Sequence, residues 1–167
     1  SWAILYNSLL SDVIKNSIAS FMAELIQKCL KQPEANTDLY NFCEESFCEL
    51  DRSEKIIAAN FALFFTLHLT HFFGFRMTDG FSTDNHILDL QEGNFTDHQP
   101  THQYYIEGEN AALTAQILKV MQPHEMSEFK LNREIRRALL LKYLEYYSLH
   151  IQDFGQMKTL MVLHEVL

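Results

Sequence analysis

The sequence predicts an all-α fold: one helical domain of about six helices, interrupted by a single irregular insert with a short β-hairpin. Three observations point there. Apolar residues recur at helical spacing along most of the chain. Helix stops and caps, such as Pro33, Asn36 and Asn132, fall between those apolar runs. Gly80, Gly93, Pro100 and Gly108 gather in one stretch, residues 76–108, and leave the rest free for helices.

Residues 6–30 carry Val13, Ile14, Ile18, Phe21, Met22, Leu25 and Ile26, an apolar helical stripe. "KQPEANTD" ends it, with Pro33 as the stop and Asn36, Thr37 or Asp38 as the next cap. Residues 39–50 form the second helix, with Leu39, Phe42, Cys43, Phe47 and Leu50 facing inward. Asp51 or Ser53 starts a third, long helix that ends near Gly74. Its stretch "IIAANFALFFTLHLTHFFGF", residues 56–75, has no formally charged residue and is long enough to span a bilayer. Asn60, Thr66, His68, Thr70 and His71 suit a protein core better than lipid, so it reads as a helix buried on all sides.

The insert, residues 76–108, reads as a small subdomain, with "HILDLQEGNF" forming a hairpin across "QEGN". Residues 110–121 are a helix ended by Pro123, and Asn132 caps a helix running through Leu149. A last helix follows Gly155. It either closes the core through Leu160, Leu163 and Leu167 or offers a sticky face to a partner.

The 167 residues fit one domain, with 47% apolar residues for a core. The chain opens on Ser1 rather than Met, which reads as a fragment with sequence missing upstream. A formal net charge of −9 disfavours a free-standing nucleic-acid or anionic-membrane binder. Charges between Glu34 and Glu54 are nearly all acidic, and residues 79–109 hold no Lys or Arg. Basic residues concentrate later, as Lys130, Arg133, Arg136, Arg137 and Lys142. Cys29, Cys43 and Cys48 read as reduced thiols of a cytoplasmic protein.

No motif supports catalysis. Cys43 and Cys48 have the wrong spacing for a metal knuckle or redox pair, and His98 and His102 flank Pro100 instead of sharing a helix. No nucleophile elbow, phosphate loop or zinc-protease helix is present. The surviving constellation is Arg133, Arg136 and Arg137, which share one helix face, continued as Leu140 and Leu144. Positive charge leading into apolar surface suits an acidic peptide with a hydrophobic end. The other reading of these arginines is salt bridges to the protein's own acidic helix or insert.

Taken in order, the segments "IASFMAELIQKCL", "NTDLYNFCEESFCELD", "NFALFFTLHLTHFFGF", "LQEGNF" and "YLEYYSLHIQDFGQMKTLMVL" resemble the C-terminal domain of the RecO family of bacterial DNA-repair proteins. Met157, Lys158, Thr159 and Leu160 stand where that family commonly has Leu-Lys-Ser-Leu. The resemblance covers almost the whole chain. It implies a non-enzymatic recombination mediator without cofactor, and an OB-fold upstream that carries most of the DNA contact. It also implies work with RecR, with the single-stranded-DNA-binding protein, in RecA loading and in strand annealing. The family holds the acidic tail of the single-stranded-DNA-binding protein in a hydrophobic pocket edged with basic side chains. Two departures matter. The insert lacks the four cysteines that hold zinc in many members, so no metal is expected there. The arginine that some members place before the central Phe is replaced by Leu63 and Phe64 ahead of Phe65. The basic rim must come from elsewhere: Arg133, Arg136 and Arg137, or alternatively Arg52 and Lys55. Competing classes are a metal-dependent enzyme using His and carboxylates of the insert, and a membrane-associated helical protein.

Overall fold

The computed structural model describes residues 6–33 and 35–167; Glu34 of the acidic run and the apolar opening before Tyr6 lie outside the described residues. The architecture is six α-helices, two 3-10 segments and one three-stranded antiparallel sheet among those residues. The chain runs through α1 (Val13–Cys29), α2 (Thr37–Arg52) and α3 (Lys55–Leu69) into a 3-10 turn, Thr70–Phe73. Then come β1 (Ile87–Asp89), β2 (Asn94–Thr96) and β3 (Tyr105–Ile106). α4 (Glu109–Leu118), a 3-10 segment (Pro123–Glu128), α5 (Arg133–His150) and α6 (Leu160–Val166) complete it.

α3 is the hub. A helix without a polar face has to be covered on every side, and α1, α4, α5 and the Pro123–Glu128 segment cover this one. Phe61, Phe65 and Leu69 are fully buried in it, each worth about 1.5–3 kcal/mol of burial. Lys55–Phe73 is long and apolar enough to cross a bilayer, but here it forms the centre of a packed core. Some of its buried polar groups find partners inside, whereas Asn60 Oδ1 and Thr66 Oγ1 have none. The Asn60 amide donates to the carbonyls of Met126 and Phe129 at 3.1 and 2.8 Å. The Tyr147 hydroxyl donates to the Thr66 carbonyl at 2.6 Å.

Three boundaries differ from the sequence expectation. α1 starts at Val13, not near residue 6, because Asp12 caps it by accepting from the amides of Ile14 and Lys15. The preceding residues are drawn instead onto Asp51, whose carboxylate accepts from the Asn7, Ser8 and Leu9 amides. Val13 is consequently 68% exposed and outside the core. α2 runs through Arg52, so neither Asp51 nor Ser53 starts α3; Glu54 precedes it without a side-chain cap. α4 ends at Leu118 rather than Met121, and Pro123 opens a 3-10 segment. Asn36 and Asn132 cap α2 and α5 as expected, accepting from Leu39 and Ile135 at 3.0 and 2.8 Å.

The insert does hold the hairpin. Leu88 pairs with Phe95 and Asp89 with Asn94, across a turn that ends at Gly93. Asp89 accepts from the amides of Gln91 and Glu92, and Gly93 adopts φ +72°. The third strand, β3, pairs Leu88 with Ile106; its two residues are too few to leave a periodic signal. The sheet docks on α5. His150 Nε2 donates to the Leu90 carbonyl at 2.9 Å, and the Tyr146 hydroxyl donates to the Phe75 carbonyl.

Candidate functional site

α5 begins at Arg133, so its first turns present Arg133, Arg136 and Arg137 beside α6. Arg133 is exposed; Arg136 and Arg137 are half-buried. None of the three pairs with a carboxylate among the described residues. Among the described residues the arginines therefore do not make the salt bridges of the self-neutralising reading. Their guanidiniums donate to backbone carbonyls instead: Arg136 to Leu131 at 2.7 Å, Arg133 to Glu165 at 3.5 Å, and Arg137 to His164.

Arg136 and Arg137 flank a slot floored by Ala59, Ala62, Leu63 and Leu140, and closed by His164 and Leu167. The free space left in it is about 10 Å³, about enough for one water, so α6 and Leu167 occupy most of the slot. Leu144 does not reach it; that side chain is buried in the core. The Nε atoms of Arg136 and Arg137 and Nε2 of His164 are buried without a hydrogen-bond partner. Burial and the neighbouring Arg133 charge lower the Arg136 pKa. Burial and the Arg137 charge likewise lower His164 and favour its neutral ring.

The alternative rim residues Arg52 and Lys55 line different hollows. Arg52 is tied to Glu49 at 2.5 Å, over a groove that also carries Glu44 and Glu45. Lys55 lines a separate hollow with Asp12 and Lys15.

Sequence reasoning missed a second basic-edged surface. A cleft of about 440 Å³ opens between α2, α3, the turn after it and the end of α4. Phe42, Phe64, Phe72 and Leu118 supply apolar walls; Arg76 and Lys119 stand at the rim beside Asp79. Phe42 and Phe72 pack at 4.9 Å between ring centroids, tilted by 31°. Neither Arg76 nor Lys119 has an ion-pair partner among the described residues. No spacing rule joins residues so far apart in the chain, so only folding shows the cleft.

The insert is organised without a metal cluster: no group of three or more His, Cys, Asp or Glu suited to one occurs among the described residues. His102 is instead a bracket. Its Nδ1 accepts from the Tyr104 amide at 3.0 Å and its Nε2 donates to Asp89 at 3.1 Å. His98 pairs with Asp97 on the surface. All three cysteines are free, and burial pushes the Cys29 and Cys43 thiols up to about 12 and about 11, far from thiolate reactivity.

Comparison with known proteins places this geometry in a lineage. The family model described as "Recombination protein O C terminal" matches residues 10–159. The DNA repair protein RecO of Azobacteroides pseudotrichonymphae is 35% identical over 159 residues, covering 95% of this chain and 65% of that protein. The RecO protein of Christiangramia forsetii is 35% identical over 161 residues, 96% of this chain and 65% of its own length. That of Bacteroides fragilis is 32% identical over 163 residues, 96% and 66%. The chain thus spans about 65% of the length of the curated relatives it matches. No solved structure matches.

Proposed function

Since the chain belongs to the RecO C-terminal family, whose matched relatives are DNA repair proteins, we propose that it is the helical interaction domain of a cytoplasmic recombination mediator. Its work is to hold protein partners and not to catalyse. The partners are RecR and the acidic, apolar-ended tail of the single-stranded-DNA-binding protein. DNA contact falls mainly to an expected OB-fold, while this domain works in RecA loading and supports strand annealing.

One observation carries the tail-binding reading. Two guanidiniums without carboxylate partners among the described residues, Arg136 and Arg137, flank an apolar slot closed by His164 of α6 and by Leu167 just after it, while Arg133 on the same helix holds the Glu165 carbonyl. A tail carrying carboxylates and an apolar last residue offers stronger acceptors to the same donors. Leu140 supplies the apolar floor. Leu144 supports it from the core.

Titration of a labelled tail peptide into the protein and its variants tests this. A charge-assisted contact is worth ~1.5–3 kcal/mol, so Arg136→Ala or Arg137→Ala should weaken binding by about tenfold or more. The residual binding should also be less sensitive to salt. Unchanged affinity in both variants rejects the slot. The open cleft edged by Arg76 and Lys119 is then the second reading, favoured by its 440 Å³ volume, and Arg76→Ala with Lys119→Ala would abolish binding instead.

A further inference from the structure

The arginine-flanked slot is filled by this chain itself. The residues that close it, His164 and Leu167, arrive at the C-terminal end of α6. Arg137 and Arg133 donate to the His164 and Glu165 carbonyls. Carbonyls in the last turn of a helix lack intrahelical partners and gather the negative end of its dipole. Leu167 adds an apolar side chain against Ala59, Ala62 and Leu140. The last turn of α6 therefore shows the arginines negative acceptors followed by an apolar group. An acidic, apolar-ended peptide shows them the same sequence of chemistry.

α6 is also built to come away. It has 7 residues, too few to hold a helix unaided. Only Leu163 is fully buried, whereas Met161 and Val162 are 75% and 53% exposed. Its start is fastened by one carboxylate: Glu24 accepts from the Lys158 amide, the Thr159 amide and the Thr159 hydroxyl at 2.8, 2.9 and 2.7 Å. The closed arrangement leaves the buried Nε donors of Arg136 and Arg137 unsatisfied, a penalty an arriving carboxylate would relieve.

We propose that the last turn of α6 is an internal ligand of the arginine slot, and that an acidic, apolar-ended peptide binds by displacing it. This rests on the slot being the receptor, as proposed above. Apparent affinity is then the intrinsic affinity scaled by the fraction of molecules with α6 released. Loosening α6 at its far end must tighten peptide binding without touching the slot. Glu24 is that lever.

The test uses the 167-residue protein and a fluorescent peptide of several Asp residues ending in Phe with a free carboxylate. Peptide affinity is measured beside hydrogen exchange of the α6 amides. Peptide binding should speed exchange across Leu160–Val166, and Glu24→Gln should tighten binding by about tenfold. Leu167→Ser, remote from the Glu24 contacts, should also tighten it and serves if Glu24→Gln fails to fold. Equal affinity in wild type and both variants, with α6 exchange unaltered by the peptide, overturns the displacement and leaves the receptor reading standing. No binding by any of the three proteins overturns the receptor reading and the displacement with it. Binding in the variants alone supports both.

Discussion

Removing the Asp51 carboxylate should release the chain that leads into α1. Its oxygens accept from the Asn7, Ser8 and Leu9 amides at 2.9, 2.8 and 2.7 Å. The Asp51 carbonyl takes the Ser8 hydroxyl and the Lys15 ammonium, both at 2.7 Å. Asp51→Ala keeps those carbonyl contacts and deletes the three amide bonds. The Leu9 bond is buried, so its loss costs about 1.5–3 kcal/mol; the other two amides regain water and cost ~0.5–1 kcal/mol each. The sum is about 2.5–5 kcal/mol. For a chain of this size that lowers Tm by roughly 10 °C. Burial alone would raise the Asp51 pKa, but the three amides and the Lys15 charge outweigh it and hold the carboxyl below its ordinary value. The stabilisation is therefore complete above the unfolded-state pKa of about 4 and is lost as pH falls through the depressed folded value. Thermal unfolding of wild type and Asp51→Ala at pH 7 and in steps down to pH 3 provides the assay. The gap should be full at pH 7 and shrink below about pH 4. A gap under about 2 °C at neutral pH, or one that widens on acidification, would refute the reasoning.

Other outcomes follow from the insert and the charge distribution. Gly93→Ala places a Cβ 2.7 Å from the Tyr146 hydroxyl at φ +72°, so it should cost ~2–4 kcal/mol and loosen the sheet from α5, read as lost protection of the hairpin amides. A Tm shift of less than a few degrees would show that the turn is not docked. Elemental analysis of purified protein should give no stoichiometric zinc, because the insert is bracketed by His102 and Asp89 and not by thiolates; one tightly held zinc per chain would contradict this. The net charge of −9 predicts weak binding of single-stranded DNA by this chain alone. Tight binding with a steep salt dependence would reverse that expectation.

The sequence alone determined the elements whose signal is local. Asn36 and Asn132 marked their helix starts because a cap is a contact between residues a few positions apart. The charge-free run from Ile56 announced a buried helix, and "QEGN" announced the hairpin turn. Arg133, Arg136 and Arg137 were legible as one face because helical spacing fixes it. Only the tertiary structure decided what that face meets. The carbonyls of α6 lie 27 to 32 residues away from the arginines that hold them, and no periodicity encodes such a meeting. The same holds for Asp51, which reads as a helix-start signal yet spends its carboxylate on amides more than 40 residues earlier. Glu24 looks like one more surface acid and instead fastens α6 from the far end of the chain. The cleft of Arg76 and Lys119 arises from three stretches, Phe42, residues 64–79 and residues 118–121, that lie far apart in sequence. Propensity and patterning act within a few turns of chain, whereas sites are assembled by packing, which selects partners by shape and unsatisfied polarity across the whole fold.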